Sequence, residues 1–552
     1  MKNITRIIVP ALLGASLVAA AEIRSDQKDV TEGLDVFNAL FKEVQLNYVD
    51  TLDAKKSINN AIVYMLDQID PYTEYYSSDK VDDLRQISTG EYGGVGSIIN
   101  KGRDGRVRFS EPYEGTPSDK AGVRGGDVIL KIDTVDITPK FTTAKVSELL
   151  RGTPGTTVTV EVARPYTTDS LKTFRILREK IHTPAVPYYG TTGPDGKVGY
   201  ISIASFTESE PAEVRSALEE LLSKGITSLV LDLQSNPGGL LESAIETVGL
   251  FVPKGTEVLV TKGRGQIQDR SYVTDRKPIA PNLPLAVLIN GGSASSAEIT
   301  AGALQDLDRA VIIGERSFGK GLVQQSRQLP HDAMVKITIA KYYIPSGRLI
   351  QAIDYSHRNA DGSVARTPDS LTNTFKTLHG REVRDGGGIT PDVKIDGYDN
   401  NVLLYTIQSG SWDVDYATKF ASEHPSIGNP GSFVVTDSIF NDFKQFVKSG
   451  DLKYERRWQT PMSSLREIIT SEGYMNDSVT AAIKQLENML QYDLNRDMDH
   501  NREPLELLLA DAIVSRYAYQ RGKAEATLRY NNPLQEAIAI LSDPKRYKAI
   551  LK

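Results

Sequence analysis

Serine residues cluster where an apolar run gives way to small residues, in "LINGGSASSAEI", residues 288–299. The pattern predicts a strand that ends at the Gly-Gly pair and a helix that starts among Ser293, Ser295 and Ser296. A serine at a helix start is usually an N-cap. The same position also suits a nucleophile, because the free N–H groups of a first helical turn can bind a developing oxyanion.

A lysine downstream could complete such a site. Lys320 lies in "VIIGERSFGKG", residues 311–321, one residue short of the phosphate-binding pattern G-x-x-x-x-G-K-[ST]. A nucleotide site would need Ser or Thr next and then a helix, whereas Gly321 and two predicted strands follow. A plain surface turn is the simpler interpretation of the spacing alone. A lysine can also activate a serine if burial lowers its pKa, and none of the six His lies in a comparable turn.

Composition narrows the functional class. The chain has 552 residues, too many for one hydrophobic core, so we expect three or four domains. A hydrophobic content of 40 % and a charged content of 24 % are typical of a soluble globular protein. A net charge of −7 without a long basic run argues against nucleic acid as a partner. The absence of cysteine excludes disulfides, thiolate zinc sites, a lipobox and a cysteine nucleophile.

The N-terminus has the pattern of a secretory signal peptide. Lys2 and Arg6 precede an apolar stretch over residues 7–20, which ends in small residues. The stretch is short for a membrane span, which needs about 20 apolar residues. We therefore expect residues 1–21 to direct export to the periplasm or cell envelope and to be cleaved. Retention as an N-terminal membrane anchor is the alternative.

The periodicity of the remaining chain changes three times. Residues 30–89 have apolar positions at helical spacing, and residues 90–180 have the character of a small β-rich module. In residues 181–395 apolar strands alternate with helices, which predicts a covered and largely parallel sheet. Residues 396–552 are again mostly helical. We expect a multidomain α/β protein, with the serines and the lysine in its α/β part.

A series of ordered motifs runs through the chain. The central ones are "NGGSASSAEITAGALQDLDRAVIIGERSFGKGLVQ" and "ITIAKYYIPSGRLIQ", joined by "MLDQIDPYTEYYS", "YGGVGSII", "GTPSDKAGVRGGDVILKIDTVDI", "LVLDLQSNPGGLL" and "GGGITPDV". Together they resemble the carboxyl-terminal processing proteases, the tail-specific Ser-Lys peptidases of family S41. The resemblance implies a helical N-terminal segment at 30–89, a PDZ domain at 90–180, a crotonase-like protease core at 181–395 and a helical C-terminal extension at 396–552.

The resemblance also implies catalytic residues. The family's nucleophile is the second serine of G-S-A-S, here Ser295, and its general base is the lysine of F-G-K-G, here Lys320. Its lysine-orienting glutamine ends K-G-x-V-Q, here Gln324. An amide oxygen can fix the lysine amine without a charge that would raise its pKa. Gln325, on the same predicted strand, is the competing residue and is expected to be exposed.

The oxyanion hole is expected to use backbone N–H groups. One would come from Ser296 and the other from "SNPGG", at Gly238 or Gly239, where glycine permits a close approach. A plain strand-to-helix turn would need Pro-Gly equally. The family commonly has G-S-A-S-A-S-E-I where this chain has G-S-A-S-S-A-E-I, so Ser296 is also the alternative nucleophile.

Two further residues need an interpretation, one that departs from the family pattern and one acidic candidate near the serines. Gln234 stands where the more usual L-R-G-N-P-G-G has Arg, which changes how this loop is tethered. Asp306 is an acidic residue in the helix after the serines. We interpret it as structural and expect it to pair with Arg309 or Arg316.

The PDZ segment suggests a route to substrate recognition. Such a domain captures a peptide C-terminus by adding it to a sheet edge, while loop N–H groups hold its carboxylate. The carboxylate-binding loop would be formed by Gly93, Gly94, Val95 and Gly96. A glycine-rich β-turn is the alternative interpretation. Family behaviour implies that the PDZ domain also gates the protease.

The leading hypothesis is therefore an exported serine endopeptidase that cleaves proteins near their C-termini without a metal or other cofactor. Its partners would be proteins or peptides with a free C-terminus, with an adaptor protein and a second copy of the chain left open. The alternative is a non-catalytic or adaptor-dependent PDZ scaffold of the cell envelope, which loss of Ser295 or Lys320 would have favoured. Both residues are present.

Overall fold

The computed structural model describes residues 28–264, 269–355, 357–359, 363–395, 402–454, 456, 458–491 and 493–552. The predicted signal peptide, residues 1–21, lies outside them. The chain divides into two compact units, Met1–Tyr75 with Ser326–Ile337, and Tyr76–Gln325 with Thr338–Lys552. Within the described ranges, no helix is both long enough and apolar enough to span a bilayer.

In the part of the first unit that the structure describes, from residue 28 onward, there are two helices. Helix α1 covers residues 28–47 and α2 covers Ala54–Asp67. Asp53 caps α2, because its side chain accepts a hydrogen bond from Lys56 N at 3.0 Å. The sequence predicts that α2 stops at Asp70-Pro71; it ends at Asp67, and Asp70 Oδ1 instead accepts the N–H groups of Tyr72 and Thr73, each at 2.8 Å. Strand β1, Glu74–Tyr76, follows.

The β-rich module contains a six-stranded sheet with the strand order β3-β4-β5-β7-β8, and β6 pairs with β5. Strands β2 and β9 form an antiparallel ribbon. Alternate valines of β7 point into its core, Val158, Val160 and Val162, as period-two patterning requires. The elements are α3 Val81–Thr89, β2 Glu91–Gly94, β3 Ser97–Lys101, β4 Val107–Pro112, α4 Pro117–Lys120, β5 Val128–Ile132, β6 Val135–Asp136, α5 Thr143–Leu150, β7 Thr157–Ala163, β8 Leu171–Leu177 and β9 Glu179–His182.

The α/β part is built on a six-stranded sheet ordered β10-β11-β12-β15-β16-β21. Strands β11, β12, β15, β16 and β21 are parallel and β10 is antiparallel at the edge, which confirms the predicted, largely parallel sheet. Its apolar strands are covered on one face by α6, α7 and α8. The elements are β10 Tyr188–Thr192, β11 Val198–Ser202, α6 Glu210–Ser223, β12 Ser228–Asp232, α7 Leu241–Val248, β15 Leu285–Ile289, α8 Ser296–Asp306 and β16 Val311–Gly314.

A second sheet contains the strands that follow the lysine. Strand β18 pairs with β13 and with β17, and β14 pairs with β13. Two strands and no helix therefore follow Lys320, as predicted, so the phosphate-binding interpretation fails on its required helix. The elements are β13 Glu257–Gly263, β14 Arg270–Val273, β17 Leu322–Gln328, β18 Met334–Tyr343, β19 Thr374–Lys376, β20 Glu382–Arg384 and β21 Val393–Lys394.

The C-terminal region is helical, as predicted, and has an aromatic core around Tyr416, Phe440 and Phe443. Its helix α16 covers the second face of the six-stranded sheet, where Leu534 and Ile538 pack with strand residues. The elements are α9 Val402–Ser409, α10 Trp412–Glu423, α11 Asp437–Ser449, α12 Gln459–Ser471, α13 Asp477–Met489, α14 Leu494–His500, α15 Arg502–Thr527, α16 Asn532–Leu541 and α17 Pro544–Ile550. This region is therefore packed into the protease core as well as being a helical domain of its own.

Candidate active site

The predicted nucleophile lies at the turn between a buried strand and a buried helix. Strand β15 ends at Ile289, and Ser295 is the residue immediately before α8. Its backbone has φ 56° and ψ −117°, a conformation that L-residues rarely adopt. Such a residue costs on the order of 1–3 kcal/mol and persists only where its surroundings fix it. The side chain is partly exposed, at the N-terminus of a helix that is otherwise buried.

The two neighbouring serines have structural partners. Ser293 is fully buried, and its Oγ donates to Leu233 O at 2.7 Å and accepts from Asn290 N at 2.9 Å. Ser296 is 1 % exposed, and its Oγ lies 3.0 Å from Gly239 O and 3.1 Å from Leu240 O. Both hydroxyls therefore hold loops together. This geometry favours Ser295 over Ser296 as the hydroxyl that can meet a substrate.

A buried carboxylate, which the sequence analysis missed, joins the serine turn to the lysine turn. Glu298 Oε2 accepts the backbone N–H groups of Ser295 at 2.9 Å and Lys320 at 2.8 Å. Its Oε1 accepts Gly319 N at 2.7 Å and the Ser317 hydroxyl. Glu298 has no exposed surface, and burial raises its pKa to about 7 while these four donors lower it. The sequence signal was the capping-box spacing of Ser295 and Glu298.

The turn that carries Lys320 is held at both its N–H and its carbonyl group, the N–H by Glu298 and the carbonyl by Tyr342. The Tyr342 hydroxyl donates to Lys320 O and lies 3.3 Å from Ser295 O, so this buried tyrosine also contacts both turns. The flanking glycines are required by close packing. A Cβ on Gly319, whose φ is +91°, would lie 2.4 Å from Ala352 Cβ, and one on Gly321 would lie 2.8 Å from Gln351 N. Lys320 itself is partly exposed.

Gln324 is near the start of β17, four residues after Lys320. Its Nε2 donates to Thr338 Oγ1 on the adjacent β18 at 3.2 Å. This bond fixes the amide plane and directs the carbonyl oxygen away from Thr338. Gln325, the competing residue, is exposed, as expected, whereas Gln324 is only partly exposed. The expected contact between Gln324 and the Lys320 amine stays a prediction.

The glycine pair of "SNPGG" packs directly on the serine turn. A Cβ on Gly238, whose φ is +98°, would lie 2.6 Å from Ser295 Cβ and 2.9 Å from Ser296 N. The Gly238 N–H, however, donates to Asn236 Oδ1 at 2.8 Å. Of the two predicted donors in this loop, the geometry therefore favours Gly239 over Gly238 for an oxyanion. Ser296 N, the other predicted donor, is the first amide of α8 and lies beside Gly238.

The loop that carries these glycines is tethered by the C-terminal region. Asn531 Nδ2 donates to Gln234 Oε1 at 2.9 Å, and Asn531 Oδ1 accepts Leu534 N at 3.0 Å as the N-cap of α16. Buried Asp232 adjoins this pair, since its Oδ2 accepts Asn531 Nδ2 at 3.4 Å as well as the Tyr200 hydroxyl at 2.6 Å. Burial raises the pKa of Asp232 to about 6, although the hydrogen bonds that its carboxylate accepts act to lower this pKa. Gln234 thus uses a partner from the helical domain, at the position where the family pattern has arginine.

Asp306 pairs differently from the prediction. Its Oδ1 accepts Arg348 Nη2 at 2.8 Å, and both side chains are buried. Arg309 instead donates to the carbonyl oxygens of Phe251, Ala280 and Leu283, and Arg316 pairs with Asp369. The expected partners, Arg309 and Arg316, are thus wrong. A structural role for Asp306 fits this buried ion pair.

The predicted carboxylate-binding loop joins the ribbon strand β2 to the sheet edge strand β3. Gly93 and Gly94 are the last residues of β2, and a Cβ on Gly93 would lie 2.3 Å from Gly152 O. Val95 is buried, and Gly96 has φ +76°. Ser118 N and Tyr113 N hold the carbonyl oxygens of Val95 and Gly96 at 2.9 and 3.0 Å. The loop is therefore fixed from its carbonyl side at the start of an edge strand.

Comparison with known proteins identifies the parts. Family models match residues 197–357 as "Peptidase family S41", 108–164 as "PDZ domain" and 403–541 as "Probable PDZ-protease, C-terminal helical domain". The carboxy-terminal-processing protease of Bartonella bacilliformis is 36 % identical over 359 residues, which are 64 % of this chain and 81 % of that protein. A "Probable CtpA-like serine protease" of Staphylococcus aureus is 31 % identical over 354 residues, 62 % of this chain and 70 % of that protein.

Among solved structures, the photosystem II D1 C-terminal processing protease is 29 % identical and is matched over 64 % of this chain and 85 % of its own, with a TM-score of 0.36. The sequence relationship to the Bartonella protein covers most of that protein's length. It agrees with the domain matches and with the ordered motifs. The chain therefore belongs to peptidase family S41, as a carboxy-terminal processing serine protease with a PDZ domain and a helical C-terminal domain.

Proposed function

We propose that the protein is an exported endopeptidase that cleaves proteins near their C-termini with a Ser295–Lys320 dyad. The observation that carries this proposal is the shared carboxylate of Glu298, which ties the backbones of the two residues together at 2.9 and 2.8 Å. An N-terminal helix position and a strained backbone at Ser295 support its role as nucleophile. Engaged hydroxyls at Ser293 and Ser296 support the same choice.

The proposed chemistry is acyl transfer. Neutral Lys320 takes the proton of Ser295 Oγ as the oxygen attacks the scissile carbonyl, and then delivers it to the leaving amine. The carbonyl oxygen becomes an oxyanion in the tetrahedral intermediate, where the N–H groups of Ser296 and Gly239 would donate to it. Gln324 would orient the lysine amine through its side-chain oxygen. Water then hydrolyses the acyl-enzyme by the same proton route.

Substrate recognition is assigned to the PDZ domain. A protein with a free, unfolded C-terminal tail would add as a strand to β3, with its carboxylate at residues 93–96. Support comes from the position of this loop at the start of an edge strand. The signal-peptide pattern of residues 1–21 supports export to the periplasm or cell envelope, and cell fractionation would test it.

A second copy of the chain is the proposed partner of the first unit. Large apolar side chains are exposed on both of its helices, including Phe37 and Leu40 on α1 and Tyr64 on α2. Such a surface on a monomer is a liability unless something covers it. Light scattering of the full chain should give a multiple of the monomer mass. A monomer would leave an adaptor protein as the alternative occupant.

A cleavage assay tests the catalytic assignment. An unfolded protein with an apolar C-terminal tail would be incubated with wild type, Ser295→Ala and Lys320→Ala, and the products read by mass spectrometry. Of these three proteins, we expect only wild type to cleave the substrate. EDTA should not inhibit this cleavage, and ATP should not be needed for it. Lys341→Ala removes an exposed lysine on β18 and is the matched control. Activity in Ser295→Ala would refute the dyad, whereas inactivity of wild type would favour the non-catalytic or adaptor-dependent scaffold.

A further inference from the structure

The edge strand of the PDZ sheet is in contact with the C-terminal helical domain at one end. Strand β3, Ser97–Lys101, is the terminal strand of the order β3-β4-β5-β7-β8. One edge of β3 pairs with β4. In the proposed function a peptide tail adds to the opposite, open edge. The loop proposed to bind the carboxylate precedes Ser97, so a tail would run antiparallel from Ser97 towards Lys101.

The hydrogen bonds of the sheet define which groups face this open edge. Gly102 N donates to Arg106 O at 2.9 Å, so residue 102 points towards β4. Phe109 exchanges its backbone bonds with the residues just before β5: its N–H donates to Asp127 O at 2.9 Å and its carbonyl accepts Gly126 N at 2.7 Å. Its N–H and C=O groups therefore point away from Ile99, its register partner on β3. Since alternate residues of a strand point to opposite edges, Ile99 and Lys101 direct their N–H and C=O groups outwards.

The outward carbonyl of Lys101 is already occupied by the helical domain. Ser411, just before α10, donates its Oγ to Lys101 O at 3.3 Å and accepts Asn100 Nδ2 at 3.4 Å. Ser411 is buried and has φ 54°. Its hydroxyl thus occupies the carbonyl to which the N–H of an added strand would donate.

Charged and aromatic contacts hold this cap in place. Arg103 Nε pairs with Asp415 at 2.6 Å, and the guanidinium lies 3.9 Å from the ring centroid of Trp412. Arg108, at the start of β4, forms a close ion pair with the same carboxylate. Partly or fully buried pairs of this kind fix geometry, because breaking one partner leaves an uncompensated charge. The contact of Ser411 with β3 is thus part of an interface between the PDZ and helical domains that these ion pairs hold in place.

We propose that the helical domain ends the strand-addition edge at Ser411, so that the PDZ domain pairs with only about the last four residues of a tail. The inference rests on the tail recognition in the proposed function. A C-terminal residue opposite Ser97 places the third residue from the end opposite Ile99 and the fifth opposite Lys101. The N–H of that fifth residue would need the carbonyl that Ser411 holds. Residues further upstream therefore do not pair with β3.

Peptide binding to the full chain tests this inference. The background is Ser295→Ala, which prevents cleavage, and the probes are labelled four- and eight-residue peptides that share an apolar C-terminal tetrapeptide, measured by fluorescence anisotropy. We expect their Kd values to differ by less than about twofold. In Ser411→Gly, which keeps the positive φ and frees Lys101 O, the eight-residue peptide should bind about three- to tenfold tighter. The four-residue peptide should be unaffected.

Two controls make the result specific. Ser471→Gly removes a serine hydroxyl that donates only within α12, to Ile468 O at 2.9 Å, and should behave like the parent. N-methylation of the fifth residue from the C-terminus should cancel the gain in Ser411→Gly and have no effect in the parent. Tightening with length in the parent, or an eight-residue affinity unchanged by Ser411→Gly, would overturn the inference alone. Absence of binding at every length would overturn the proposed tail recognition itself.

Discussion

The backbone N–H groups of Ser295 and Lys320 donate to the same carboxylate oxygen, Glu298 Oε2, at 2.9 and 2.8 Å. The serine immediately precedes α8, and the lysine follows β16 on a glycine-flanked turn. One buried carboxylate thus fixes the backbones of both proposed catalytic residues. Glu298 is in this sense a positioning residue, and its replacement should affect both turns together.

We expect Glu298→Gln to lose stability and activity together. A glutamine offers one acceptor oxygen and turns an N–H₂ towards two of the four donors, which leaves buried N–H or O–H groups without partners. The cost should be about 2–4 kcal/mol in the free energy of unfolding, measured by urea denaturation. The value of kcat should fall by more than about tenfold because the dyad loosens.

Glu382→Gln, an exposed glutamate on β20, is the matched control for Glu298→Gln and should leave both measurements unchanged. A Glu298→Gln variant with wild-type kcat and stability would contradict the positioning role.

Ser296→Ala should separate the two candidate nucleophiles. The substitution removes a hydroxyl that lies 3.0 Å from Gly239 O, but keeps the backbone N–H proposed for the oxyanion hole. We expect the free energy of unfolding to fall by about 1–2 kcal/mol and cleavage to stay within about threefold of wild type. Loss of cleavage in Ser296→Ala, with cleavage retained in Ser295→Ala, would make Ser296 the nucleophile instead.

Local patterns predicted much of this site. The apolar runs that became β12, β15 and β16 are buried on both faces, and their alternation with helices determines a parallel sheet. The turns after these strands then lie at one edge, which brings "SNPGG" to the serine turn. These elements follow from periodicity and chain connectivity, so one sequence is sufficient to infer them.

Partners of buried polar groups were harder to predict. Asp306 was expected to pair with an arginine nearby in sequence, but Arg309 satisfies three backbone carbonyls and Arg348 supplies the charge. The contact of Asn531 with Gln234 joins distant parts of the chain. Such pairings depend on which side chains meet after packing, and sequence spacing does not contain that information.

Asn531→Ser should reveal how far the helical domain supports the loop "SNPGG", residues 235–239, which is proposed to bind the oxyanion. Serine can still cap α16 at Leu534 N but is too short to reach Gln234. We expect kcat to fall about threefold to tenfold with KM unchanged, and the melting temperature to change little. Gln234→Ala should have the same effect, and the double variant should lose no more than either single variant. Fully additive losses would show that the two residues act separately.

Asp413 should make stability depend on pH. It is 5 % exposed at the start of α10, and burial raises its pKa to about 7 from an unfolded value of 3.8. The folded protein therefore binds a proton between about pH 4 and 7 that the unfolded chain has lost, so stability falls as pH rises through this range. The change from this group is at most about 4 kcal/mol. Asp413→Asn lacks the titrating carboxyl group. The variant should therefore be more stable than wild type at pH 8 and as stable as wild type near pH 4.

Thermal unfolding of both proteins from pH 4 to 8 measures the difference. Asp477→Asn, an exposed aspartate in the first turn of α13, controls for the loss of one carboxylate and should follow the wild-type curve. Arg516 is the buried cation whose charge opposes the rise in the pKa of Asp413, and burial lowers its own pKa to about 10. An Asp413→Asn variant less stable than wild type at pH 8 would mean that ionised Asp413 compensates Arg516. The carboxylate would then help to hold the PDZ domain, since Arg516 also donates to Ser110 O of β4.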